Sequence, residues 1–255
     1  MTAASPDPLL ELLAVQSGFD LGGASDGGRL ERRSSHVSLR VWLTVDAAGR
    51  HLVALSHAHV DVALGEEGWG HRAEEVGPPG ARAVRAASDR AATLGLLRRT
   101  FQLARSLPDE ALRAFEARTL GMPRQTEAER LVIQRVGQDL FRDRLLDYWQ
   151  GACAVSGLAV PSLLRASHIK PWSDCETDAE RLDVFNGLLL SPSLDALFDG
   201  GWMTLLDDGG VLLAPELDAT SRELLGVASP LRVRHLEPAH RRYLAWHRVQ
   251  VFRRG

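Results

Sequence analysis

The run from Leu163 to Asp199 constrains this chain most, because its hydrophobic pattern changes repeatedly within a short distance. Leu163 to Ile169 reads as a strand that reaches His168. Lys170-Pro171-Trp172 turns the chain, and Ser173 to Asp183 is a polar loop. Phe185-Asn186-Gly187 is a second turn, and Leu188-Leu189-Leu190 a returning strand. Ser191 and Ser193 can cap a short helix that carries Asp195, Leu197, Phe198 and Asp199. The order is strand, loop, strand, helix. It sets a histidine near a strand end and places Asp195 and Asp199 at i and i+4 on one helix face.

The rest of the chain bounds the setting. Its 255 residues allow one large domain or two ordinary ones, and 45% hydrophobic with 25% charged residues is ordinary for a soluble globular protein. No run of about 18 apolar residues occurs, so no membrane span is expected. Met1 to Leu13 lacks the basic start and apolar core of a signal peptide. Cys153 and Cys175 are too few for a disulfide scaffold, so a reducing cytoplasm is expected. The net charge of -3 does not announce a nucleic-acid binder. Yet Leu231 to Gly255 holds Arg232, Arg234, Arg241, Arg242, Arg248, Arg253 and Arg254 against one acid, Glu237. Such a segment suits either phosphates or a solvated helix face. Lys170 is the only lysine and Asn186 the only asparagine, and both fall in the one window above.

Elsewhere, residues 1–35 read as loop, with Gly22, Gly23, Gly27 and Gly28 among Ser and Asp. His36–Val45 and His51–Leu55 read as a β-hairpin about Asp46–Gly49, and Gly65–Gly80 as a loop carrying Trp69. Ala81–Leu107 reads as helix, followed by a further helix from Pro108 through Phe115 with Ser106 as cap. Gly121 and Pro123 suggest a linker, which puts the domain boundary near 122. Thr126 to Glu129 is a capping-box pattern. It should start a helix to about Trp149, burying Leu131, Val132, Val136, Leu140, Phe141, Leu145 and Tyr148.

Three segments together resemble the HNH endonucleases: Ala166-Ser167-His168-Ile169-Lys170-Pro171-Trp172, Phe185-Asn186-Gly187-Leu188-Leu189-Leu190, and Leu194-Asp195-Ala196-Leu197-Phe198-Asp199. The resemblance runs from about Thr126 to Phe252. It implies an α+β chain, with a C-terminal ββα-metal nuclease domain (123–255) preceded by a mixed α/β DNA-recognition domain (1–122). Phosphodiester hydrolysis needs a base for water and a cation for the charge on phosphate and the leaving oxygen. The resemblance implies His168 as that base. It gives Asn186 either a loop-holding or a metal-binding role. It implies Asp195 and Asp199 as ligands of one divalent ion, Mg²⁺ or Mn²⁺ by the hardness of oxygen donors. Lys170 and Arg181 are candidates for phosphate, or for pairing with Asp174, Glu176 or Asp183.

The sequence departs from the family in three places. Ser167 stands where a metal ligand often precedes the catalytic histidine. Asp195 stands in place of the final histidine. Cys153 keeps one cysteine of a zinc-binding pair and Cys175 is isolated, so no structural zinc is expected. Packing of Trp149, Leu164, Trp172, Phe185, Leu189 and Phe198 should hold the core instead.

The layout of the N-terminal part also resembles modification-dependent (type IV) restriction enzymes, and among these the sulfur-binding domains that read phosphorothioate DNA. That implies duplex DNA, chemically modified, as the partner of a defence nuclease. The surface residues for it would be His57, His59, Trp69, His71, Arg98, Arg99 and Arg105. Double-strand cleavage by a single site further implies a homodimer or two encounters. The competing readings are a non-catalytic DNA-binding protein with a degenerate HNH site, and a nuclease toxin.

Overall fold

The computed structural model describes residues 7–26, 28–123, 125–234 and 236–254, so residues 1–6 and Gly27 of the expected N-terminal loop lie outside the described residues. The fold is α+β, in two compact units, 1–105 and 106–255.

The first unit holds α1 (Pro8–Gln16), β1 (Leu21–Asp26), β2 (Arg29–Arg33), β3 (Val41–Val45), β4 (His51–Leu55), α2 (Ala58–Glu66), β5 (His71–Arg72), β6 (Ala83–Ala87) and α3 (Arg90–Ser106). Its six strands form one antiparallel sheet in the order β1-β2-β3-β4-β6-β5. The expected hairpin is present. Val41 pairs with Leu55 and Val45 with His51, and the Asp46 carboxylate accepts the Ala48 and Arg50 amides to close the turn. One sheet face buries Trp42, Leu52, Ala54, Val84 and Ala86. Two expectations fail here. The stretch read as loop contains α1, β1 and β2, because an edge strand tolerates the glycines that suggested a turn. The stretch read as helix from Ala81 begins with β6, whose alanines and Arg85 pair with β4 across five registered residues. Pairing overrides the weak strand propensity of alanine.

The second unit holds α4 (Pro108–Thr119), α5 (Glu127–Tyr148), β7 (Arg165–His168), α6 (Asp178–Arg181), β8 (Gly187–Leu190), α7 (Pro192–Asp199), β9 (Met203–Leu205), β10 (Val211–Leu213), α8 (Ala219–Leu224) and α9 (Arg241–Gln250). The boundary lies nearer 105 than the expected 122. The reason is that α4 packs on α5 and α6, with Phe115 buried. The N-cap of α4 is Leu107, without a side-chain cap bond, and the Ser106 hydroxyl donates to the Arg144 carbonyl.

α5 starts where its capping box predicts. The Glu129 amide donates to the Thr126 hydroxyl, and the Glu129 carboxylate accepts the Thr126 amide. Its first turns are wetter than expected, with Leu131 and Val132 at 57% and 55% exposure. The buried stripe is Leu140, Phe141, Leu145 and Tyr148, which faces the β7/β8 hairpin. That hairpin registers Arg165 with Leu190 and His168 with Gly187. Trp149, Leu164, Leu189 and Phe198 are buried as expected, whereas Trp172 and Phe185 are half-buried.

Candidate active site

His168 ends β7, and three contacts fix its ring. It stacks on Phe141 at 3.7 Å between centroids and 14° between planes, and it meets the Trp172 ring edge-on at 5.7 Å. Its Nε2 lies 2.9 Å from the Arg181 carbonyl oxygen. Two glycines make this packing possible. A Cβ on Gly187, the hairpin partner of His168, would stand 2.5 Å from the Phe141 ring, and a Cβ on Gly137 would collide with Trp172. Burial lowers the His168 pKa to about 4 against the opposing bond from Arg181, so the ring is neutral at pH 7. A carbonyl only accepts, so Nε2 carries the hydrogen and Nδ1 keeps the lone pair. Nδ1 has no partner among the described residues, and His168 lines the cleft.

The loop that carries the Arg181 carbonyl is fastened by Asn186, which is fully buried. Its Oδ1 accepts the Lys170 amide at 2.8 Å. Its Nδ2 is shared among the Lys170 carbonyl, the Glu180 carbonyl and the Cys175 sulfur at 3.1 to 3.3 Å. All this bonding runs into the 170–182 loop and none toward the cleft. Asp183 extends the clamp. It accepts the Phe185 amide, the Tyr243 hydroxyl and the Arg242 guanidinium, and so ties α9 to the turn before Asn186. Lys170 and Arg181, both candidates for DNA contact, are spent within the same loop. Lys170 Nζ pairs with Glu180 at 2.9 Å, and Glu180 was not among the partners expected for it. Arg181 pairs with Asp178 and donates to the Cys175 and Trp172 carbonyls.

Asp195 and Asp199 stand one turn apart on α7 and line a cleft of about 480 Å³ with Arg165, Ser167, His168, Trp172 and His247. Both carboxyls are pushed above the usual range. For Asp195 the cause is burial, opposed by Ser167 and Arg165. For Asp199 it is burial followed by repulsion from Asp195, opposed by Ser167. The Ser167 hydroxyl donates to Asp199 at 3.1 Å. It therefore serves as a donor that steadies the carboxylates. Among the described residues no group of three or more His, Cys, Asp or Glu side chains gathers as a metal cage. Two carboxylates one turn apart, Asp195 half-buried and Asp199 exposed, nonetheless suit a hard divalent cation that completes its shell with water and phosphate oxygens.

Sequence reasoning missed His247. It is 1% exposed, stacks on Phe198 at 3.9 Å and lies between the Phe198 carbonyl and the Thr204 hydroxyl. It locks the end of α7 that carries Asp199. The one signal was its place at the close of the family-like segment. Of the N-terminal candidates, Arg99 is 2% exposed and forks onto Glu67 at 2.5 and 2.6 Å, so it is not available to a phosphate. Trp69 is half-buried, with its ring against Gly95. His57 is half-buried beside the Ser56 hydroxyl at 2.8 Å, and Arg105 leans over Phe101. His59, His71 and Arg98 are exposed.

No helix among the described residues is long and apolar enough to cross a membrane, and Cys153 and Cys175 are both buried and free. The search of curated proteins found no match for the chain. The family model described as HNH endonuclease matches residues 153–206, which span the hairpin, the clamped loop and the carboxylate helix, so this segment of the chain is similar to the HNH endonucleases.

Proposed function

We propose that the chain is a metal-dependent DNA endonuclease that hydrolyses phosphodiester bonds in the cleft lined by β7 and α7. One observation carries this reading: a neutral histidine, its Nε2 committed to a carbonyl and its Nδ1 free, shares a cleft with two carboxylates one helical turn apart. In this reading His168 Nδ1 takes the proton of the attacking water. Asp195 and Asp199 hold the divalent cation, Mg²⁺ or Mn²⁺, which when bound stabilises charge on the phosphate and the leaving 3′ oxygen. Asn186 positions the loop whose carbonyl orients His168. Lys170 and Arg181 shape that loop and leave the phosphate to other cations.

A second reading, a DNA-binding protein whose site does not turn over, draws on the absence of a three-ligand cluster among the described residues. Titrating Mn²⁺ into the full chain separates the two. The nuclease reading expects thermal stabilisation that Asp195→Ala removes. With Mn²⁺ at about 100 times its Kd the stabilisation is on the order of 3 kcal/mol. No stabilisation of the wild type, or an equal one in the variant, contradicts it.

We further propose that residues 1–105 recognise the DNA, modified in the restriction reading and phosphorothioated in its sharpest form. The separate fold of that unit and the exposed His59, His71 and Arg98 support this. Binding of the full chain to plain, methylated and phosphorothioated duplexes is expected to differ by at least tenfold in favour of a modified one. Equal binding to all three argues against a modification reader. Double-strand scission would then take two copies or two encounters.

A further inference from the structure

Two carboxylates form a poor mouth for a polyanion. A bound divalent ion cancels their charge and leaves nothing over for the incoming phosphodiester. The cleft needs a further cation, and the residues proposed from sequence do not supply it. Lys170 is paired with Glu180 and Arg181 with Asp178. Arg242 is paired with Asp183, and Arg142 donates to the Pro161 and Leu164 carbonyls. Arg253 lies over the Trp202 ring and donates to the Gly200 carbonyl.

Arg165 is different. It is exposed at the start of β7 and lines the cleft, and its side chain makes no ion pair or hydrogen bond among the described residues. It is the only Lys or Arg of the described residues that line this cleft. Strand geometry fixes its direction. Side chains two apart on a strand share a face about 6.6 Å apart, and residues one turn apart on a helix are about 6 Å apart. Ser167 faces α7 through its bond to Asp199, so Arg165 shares that face, and its charge is felt at Asp195, one turn from Asp199. A guanidinium held beside the carboxylates but not joined to them can fork onto two phosphate oxygens.

We propose that Arg165 binds a phosphate of the DNA in this cleft, as a substrate-binding residue of the nuclease site. The inference rests on the nuclease reading and names the group that carries the substrate's charge.

The test uses the full-length His168→Ala protein, in EDTA so that nothing turns over, and a fluorescent duplex across a salt series. Adding Arg165→Ala is expected to weaken binding about tenfold at low salt. It should also reduce the slope of log K against log salt by about 0.9, the loss of one phosphate contact. Arg165→Lys should keep the slope. The melting temperature should stay within about 2 °C, because an exposed and unbonded side chain is being removed. In the His168 protein with Mg²⁺ or Mn²⁺, Arg165→Ala should lower kcat/KM on the order of 100-fold. If the duplex binds and both Arg165 variants keep the parent affinity and slope, the Arg165 assignment is overturned while the nuclease reading stands. If the parent protein neither binds nor cuts DNA, both are overturned.

Discussion

His168→Ala is expected to lower the cleavage rate by about 10³-fold, with DNA binding retained and the fold intact. General-base catalysis by a positioned side chain is worth roughly 10² to 10⁴ in rate. Here the histidine is unusually committed. Its ring stacks on Phe141 and meets Trp172 edge-on, and its tautomer is set by the Arg181 carbonyl. Removing the ring costs one hydrogen bond and one aromatic stack, on the order of 2 kcal/mol, which the packed hairpin can bear. The pH profile carries the same assignment. Burial lowers the His168 pKa to about 4, below the usual 6.5, so the free base persists as pH falls through 6.5. Single-turnover rates between pH 7.5 and 5.5 should therefore show no His-type drop centred near 6.5. Such a drop would mean that the base is an exposed histidine elsewhere.

Asn186→Ala is expected to destabilise the second unit by about 3 kcal/mol or more and to abolish measurable cleavage. The substitution strips a fully buried site of an acceptor and an amide. It orphans the Lys170 amide and leaves the Lys170 and Glu180 carbonyls short of a donor. Each buried polar group left unmet costs about 1 to 3 kcal/mol. Asn186→Asp should be no better, since it keeps the acceptor but turns a negative oxygen toward two carbonyls. Calorimetry should show the second unit melting about 10 °C lower, and amide exchange should report Lys170 opening. Full activity in either variant would mean that the loop does not depend on Asn186.

The local features of this fold could be read from the sequence, and the non-local ones could not. The capping box at Thr126 and the strand-loop-strand-helix order are set within a few residues, and both appear where expected. So does the i, i+4 pair of aspartates on α7. By contrast, the polarity of His168 depends on a carbonyl thirteen residues away, at Arg181. Arg99 looked like a surface cation because its partner Glu67 lies 32 residues earlier, on another element. Pairing of Lys170 and Arg181 with acids of their own loop was one of the two readings open in the sequence, but the partners, Glu180 and Asp178, were set by how the loop folds back and could not be picked out by spacing. β6 was hidden by alanines that only the neighbouring β4 makes into a strand. Ser167 read as a missing ligand. The structure gives it a use that spacing alone does not suggest, as the hydroxyl that donates to Asp199.

DNA hydrolysis in this cleft with His168 as the base is tested most directly by incubating the full-length chain with supercoiled plasmid in Mg²⁺, in Mn²⁺ and in EDTA, beside His168→Ala. Nicked and linear products are expected from the wild type with metal, none in EDTA, and at most about a thousandth of the rate from the variant. Equal cleavage by wild type and variant, or none by the wild type with either ion, would contradict it.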